Sequence, residues 1–143
     1  MAEYAVVVAT FYEDLAQRLV NGAVEAFAEH DVTPASVHTY EVPGAFELPL
    51  AAKWCAESGR FDGVACLGVV IRGETDHYEF VSAEAARGIQ DVAHRQRHVV
   101  AGVPVGDRKD VEVVDLLTAR LEVRERHRHH LAKANDCGVR HGA

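Results

Sequence analysis

No apolar run in this chain approaches the roughly 20 residues that a membrane-spanning helix requires, and the first residues show no secretory signal pattern. Cysteine is scarce. The three present, Cys55, Cys66 and Cys137, lack the short paired spacings of zinc and redox motifs. Cys55 and Cys66 fall in apolar stretches and read as small core residues. An odd cysteine count without a signal peptide points to a reducing, cytoplasmic setting. Positive charge is also short: 15 Lys and Arg stand against 22 Asp and Glu, a formal net charge of −7. A general nucleic-acid binder needs basic surface, so that class is disfavoured, whereas a small phosphorylated ligand held by local dipoles stays open. Repeats, low-complexity tracts and linker-like segments are absent. Residues 1–143 therefore read as one domain, long enough to build a core without disulfide or metal staples.

What is present is an alternation of two periodicities. Ala5-Val-Val-Val-Ala9 is a short apolar run, mostly β-branched, and reads as a buried strand. From Asp14 to about Glu29, Leu15, Leu19, Ala23 and Phe27 recur every fourth residue and mark an amphipathic helix. Val37 to Val42 alternates as a second strand, broken by Pro43-Gly44, and a second helix is expected from about Phe46 to Ser58, ended by Gly59. Gly63 to Ile71 is apolar almost throughout, as in a strand covered on both faces. A third helix is expected from about His77 to Arg95, a fourth strand over Val99 to Val105, and a largely helical pattern from Asp110 to about Asn135. Alternation of this kind predicts an α/β fold, a three-layer α/β/α sandwich around a four-stranded parallel sheet.

Parallel strands bring their carboxyl ends to one edge, where ligands of open α/β sheets bind. Three loops leave such ends: Thr10-Phe11-Tyr12, Pro43-Gly-Ala-Phe-Glu47 and Arg72-Gly-Glu-Thr-Asp-His77. Phe11 or Phe46 can stack on a planar ring, though Phe46 serves equally well as a core plug. Glu47 can accept hydrogen bonds, or simply suit the first turn of its helix. Tyr12 can be plain surface. Backbone amides near Glu74 and Thr75, before a helix N-terminus, can hold an anion. His77 is the natural general acid or base, because an unperturbed imidazole titrates near neutral pH; a histidine at a helix start, viewed alone, is more often structural or surface. No serine or cysteine in these loops has the surroundings of an activated nucleophile. His94, His98, His127, His129 and His130 raise a metal reading, but Arg124, Arg126 and Arg128 lie among the later ones and would repel a cation. A solvated basic face is the better interpretation.

Taken together, the loops resemble the lumazine synthase family. The similarity is carried by Phe11 with Leu19-Val-Asn-Gly-Ala23, by Val42-Pro-Gly-Ala-Phe-Glu-Leu-Pro-Leu50, by Gly68-Val-Val-Ile-Arg-Gly-Glu-Thr-Asp-His77 and by Ala85-Ala-Arg-Gly-Ile89, over roughly residues 5–95. The resemblance implies a flavodoxin-like fold and a cofactor-free condensation of 5-amino-6-(D-ribitylamino)uracil with 3,4-dihydroxy-2-butanone 4-phosphate. That reaction gives 6,7-dimethyl-8-ribityllumazine, the penultimate step of riboflavin biosynthesis, and releases phosphate and water. By position, Phe11 would stack on the pyrimidine. Ala45, Phe46 and Glu47, with Val69, Val70 and Ile71, would bind the ring and ribityl chain. Glu74, through its amide, and Thr75 would hold the butanone phosphate, and His77 would move protons.

The last third departs from the family pattern. Gly106-Asp-Arg-Lys-Asp110 follows the fourth strand, and the nearest echoes of later family segments are Asp115-Leu-Leu-Thr118 and Lys133-Ala-Asn-Asp-Cys-Gly138. On that register Arg128 would be the phosphate-contacting arginine, with Arg126 and Arg124 as rivals, and Val114 stands near the place of an aromatic that family members extend into a neighbouring subunit's site. The resemblance also implies homo-oligomers with sites between subunits: pentamers, some of which pack into icosahedral shells. Only Met1 to Tyr4 precede the first strand, so a pentamer is expected rather than a shell. Two alternatives remain at this stage. One is a self-assembling scaffold or flavin-binding protein with weak or no turnover; the other is a riboflavin synthase of the archaeal type on the same fold, which fits Gly73-Glu-Thr-Asp-His77 less well.

Overall fold

The computed structural model describes residues 1–96, 99–102 and 105–106. In chain order the elements are β1 (Tyr4–Ala9), α1 (Glu13–Glu29), β2 (Val37–Val42), α2 (Leu48–Glu57), β3 (Gly63–Leu67), β4 (Val70–Ile71), α3 (His77–Arg95), β5 (Val99–Gly102) and β6 (Val105–Gly106). One 3-10 turn, Pro34–Ser36, precedes β2 and another, Ala45–Glu47, precedes α2. The main sheet has four strands in the order β2-β1-β3-β5, all neighbours parallel. This is the doubly wound, flavodoxin-like order.

Every residue of β1 is buried, which a central strand covered on both faces requires. Side chains alternate across a strand, so Ala5, Val7 and Ala9 join one core with α2 and α3, including Leu48, Ala52, Ala85 and Ile89. Tyr4, Val6 and Val8 join the other with α1, through Leu15, Leu19, Ala23 and Phe27. The three-layer architecture follows from that division. Burial of one leucine such as Leu19 or Leu48 contributes about 1.5–3 kcal/mol. Cys66 lies fully buried in β3, where burial chiefly, with Cys55 nearby, pushes its thiol up to about 12; Cys55 is raised by burial too. Neither thiol is disposed to react.

Both helix exits follow local chemistry. Gly59 takes φ 68° just past α2, the left-handed position for which glycine has no steric penalty. Asp31 takes φ 60° after α1. There the amide of Val32 donates to the Phe27 carbonyl at 3.0 Å and that of Asp31 to Ala28 at 3.1 Å, which closes the helix end.

Three boundaries differ from the periodicity. The apolar run 63–71 is two strands, β3 and β4, interrupted at Gly68-Val69, and the expected fourth strand 99–105 divides into β5 and β6. β4 pairs with β6 in a two-stranded parallel sheet. The pairing offset is unchanged across the interruption: Leu67 lies opposite Gly102, and Val70 opposite Val105. Hydropathy cannot show such a break, because both halves are apolar. Glycine stands at the interruption because space there is short: a Cβ on Gly68 would stand 3.0 Å from Leu48 Cδ1 and 3.4 Å from Ala9 Cβ. The second helix begins at Leu48 rather than Phe46. Its Pro49 lacks an N–H and belongs in a first turn, and Ala45–Glu47 is wound more tightly, with Glu47 N–H donating to the Gly44 carbonyl at 3.2 Å. The expected helix over 110–135 lies outside the described residues.

Candidate active site

The ends of β1, β2 and β3 are level. Ala9 pairs with Val42, and Val8 with Leu67, so the three loops leave the sheet side by side. Thr10 fastens the first to the second: its amide donates to the Val42 carbonyl at 2.9 Å, and its hydroxyl donates to the same oxygen at 3.2 Å. The loops enclose a cleft of about 320 Å³ lined by Phe11, Tyr12, Gly44, Ala45, Phe46, Val69, Val70, Ile71, Gly73, Thr75, His77, Tyr78 and Val81. That volume suits a small ligand.

Each wall has a distinct chemistry. Phe11 is 75% exposed and Phe46 62% exposed, so neither plugs the core, and both leave aromatic surface facing solvent at the cleft. Phe11 is steadied by an edge-on contact with Tyr12, ring centroids 5.0 Å apart. Ala45, Val69 and Val70 are buried and make the floor. Opposite them, α3 begins at His77 without a side-chain cap from Asp76. Its free amides and positive dipole end adjoin Gly73 and Thr75, an arrangement receptive to an anion. Among the described residues the side chains of Thr75 and His77 have no hydrogen-bond partner, which leaves hydroxyl and imidazole available to a ligand.

Of the residues singled out from sequence, Phe11, Ala45, Phe46, Val69, Val70, Ile71, Thr75 and His77 line this single cleft. Glu47 and Glu74 do not line it. Glu47 turns back, its Oε2 3.2 Å from where a Cβ on Gly44 would sit, so glycine at 44 gives that carboxylate room at the rim. Arg128 and its rivals Arg126 and Arg124 lie outside the described residues, as do His98, His127, His129 and His130. His94 is exposed on α3 and hydrogen-bonds Gln90 at 2.9 Å. Among the described residues no three His, Cys, Asp or Glu side chains are grouped to hold a metal.

A family model for 6,7-dimethyl-8-ribityllumazine synthase matches residues 1–112. The chain belongs to that family. A 6,7-dimethyl-8-ribityllumazine synthase of Desulfosudis oleivorans is 43% identical over 90 residues, covering 63% of this chain. The chain spans 57% of that relative's length. The lumazine synthase match contains every cleft residue and ends before Val114 and the three late arginines.

Sequence reasoning missed Tyr12 as a wall and Tyr78 and Val81 altogether. Helical spacing held the signal for the last two. On a helix starting at His77, residues 77, 78 and 81 share a side, so a ligand reaching the histidine also meets the other two. Tyr78 is half-buried, with the Arg72 guanidinium 5.5 Å from its ring centroid and its hydroxyl donating to Glu79 Oε1 at 2.9 Å. That hydrogen bond, with burial, pushes the phenol above its ordinary range, against the opposing pull of Arg72.

Proposed function

We propose that this protein condenses 5-amino-6-(D-ribitylamino)uracil with 3,4-dihydroxy-2-butanone 4-phosphate to 6,7-dimethyl-8-ribityllumazine, a transferase reaction of riboflavin biosynthesis. The observation that carries the reading is the meeting of His77 and Thr75, at an uncapped helix start, with two solvent-facing phenylalanines in one cleft. Family membership supplies the substrates.

The chemistry asks for orientation and proton transfer rather than a covalent nucleophile. Phe11 and Phe46 offer faces for the pyrimidine, with the floor at Val69, Val70 and Ile71 along the ribityl chain. Thr75, the amide of Glu74 and the first amides of α3 receive the phosphate. Its negative charge there is favoured by the helix dipole. Water leaves as the amine adds to the ketone and the imine forms. Phosphate leaves as its C–O bond breaks, and the ribitylamino nitrogen then adds to the remaining carbonyl, closing the ring with loss of a second water. His77 shuttles the protons that these steps require. Arg128 adds a second phosphate contact in this scheme.

We place the site in a homo-oligomer, a pentamer on the family pattern. Support for self-association comes from Phe46, Leu50 and Trp54, on and before α2, which are 62%, 51% and 64% exposed at four-residue spacing. Exposed apolar stripes of this kind mark contact surfaces. A cytoplasmic setting accords with the free thiols of Cys55 and Cys66. The departure of the last third from the family pattern, beyond the match that ends at residue 112, favours a second reading, a self-assembling scaffold or flavin-binding protein with little turnover.

An absorbance assay with both substrates, run against a protein-free control, separates the two. A rate above background that disappears in His77→Ala is the expected result. Background-level turnover from a well-assembled oligomer would sink the enzyme reading in favour of the scaffold.

A further inference from the structure

The helix start that presents His77 to the cleft is held in an uncommon way. Asp76 gives it no side-chain cap, and a single backbone bond, Glu79 N–H to the Asp76 carbonyl at 3.0 Å, closes the turn. Residue 78 supplies what the cap does not. The Tyr78 ring packs against the core formed by α2, α3 and the sheet. The Arg72 guanidinium lies 5.5 Å from its centroid, and its hydroxyl is tied to Glu79 Oε1 at 2.9 Å. Ser82 Oγ donates to the Tyr78 carbonyl at 2.6 Å and to the Glu79 carbonyl at 3.2 Å. The ring and backbone of Tyr78 are thus fixed independently.

Arg72 leaves the end of β4, and Glu79 sits in the first turn of α3. Between them run Gly73 to Asp76, the loop that carries Thr75. A contact from Arg72 through the ring to Glu79 therefore spans that loop and ties its two ends together. We propose that Arg72, Tyr78 and Glu79 form a brace that positions His77 and the Thr75 loop relative to each other. The proposal rests on the reading of His77 as proton carrier. Tyr78 is a positioning residue within it. The raised phenol keeps its proton through neutral pH and beyond, so the hydroxyl remains a donor to Glu79 over the working range.

Arg72 and Glu79 are exposed, and contacts at exposed sites contribute little to stability. Proton transfer is more demanding, because a misplacement of about 1 Å can cost 10²-fold in rate. A weak brace can accordingly leave folding nearly untouched and still govern turnover.

The test compares Tyr78→Phe, which keeps the ring and removes the hydroxyl, with Glu79→Ala and Glu79→Gln. Both steady-state kinetics and the His77 imidazole resonances in NMR spectra are followed. The expected loss in kcat is about 10-fold for Tyr78→Phe and Glu79→Ala, with the His77 signals displaced. Glu79→Gln retains an acceptor and returns both readouts toward wild type. If Tyr78→Phe folds poorly, the surface Glu79 pair carries the comparison. Unchanged His77 signals in Tyr78→Phe and Glu79→Ala overturn the brace, even if kcat falls, since the loss would then run through a direct contact with substrate. Wild-type turnover at background defeats the enzyme reading separately, and the His77 signals still decide the brace.

Discussion

The two edges of the sheet solve opposite problems. At the amino edge, polar groups pair with one another. The Glu3 amide donates to Asp62 Oδ2 at 3.0 Å, and the Asp62 amide donates to the Glu3 carbonyl at 2.7 Å. His38 pairs with Glu3, and Arg60 lies over the Phe61 ring at 5.0 Å. Phe61 itself is buried. At the carboxyl edge the pattern reverses: Phe11 and Phe46 face solvent, α3 starts without a cap, and among the described residues Thr75 and His77 keep their polar atoms unpaired. Groups paired within the protein hold the fold together, whereas the exposed side chains of Thr75 and His77 are open to a ligand. One sheet keeps the two at opposite ends, so changes at either end should separate stability from activity.

The sharpest way to break that division is His77→Ala. Turnover should fall by about 10²–10⁴-fold with assembly unchanged, as read from the absorbance assay beside sedimentation. A retained rate removes His77 from the chemistry. Next in size is Gly88→Ala, where α3 meets the first turn of α2. A Cβ there would meet the Pro49 ring at 2.7 and 2.8 Å, and a ring cannot swing aside as a flexible side chain does. Chemical denaturation should show a loss of about 1–3 kcal/mol; wild-type stability would mean that α2 and α3 separate at no cost.

Phe11→Ala is smaller and confined to the cleft. It should weaken binding of a ribityl-pyrimidine analogue by about 1 kcal/mol, measured by titration calorimetry, and equal affinity in the two proteins would end the stacking role. Least of all is Asp62→Ala at the amino edge, which removes the acceptor for the Glu3 amide. The expected cost is about 0.5–1 kcal/mol of stability with kcat unchanged. A lowered kcat would show that the edges are coupled after all.

Much of this arrangement could be read beforehand, and the reason is periodicity. Leu15, Leu19, Ala23 and Phe27 repeat at helical spacing and are all buried in α1, while Ala5 to Ala9 form a strand buried on both faces. The three loops followed from the parallel sheet. What periodicity could not show were events set by contact. The tight space around Gly68 is set by Leu48 and Ala9, which are distant in sequence. Glu47 lies beside the wall residues in the chain, yet it folds back over Gly44 rather than lining the cleft. Tyr78 follows directly on His77, and only its helical spacing to Val81 marks it in the sequence. The register of the late arginines lies beyond the described residues and beyond the family match.

Thr10 spends both its donors on one carbonyl, that of Val42. The loops bearing Phe11 and Phe46 are consequently hung from adjacent strands at a separation set by the backbone, near the 4.8 Å repeat of any sheet. Either ring can then be exchanged for another without altering the spacing of their attachment points. The chemistry of each jaw is adjustable one residue at a time, while the gauge of the vice is inherited from the sheet.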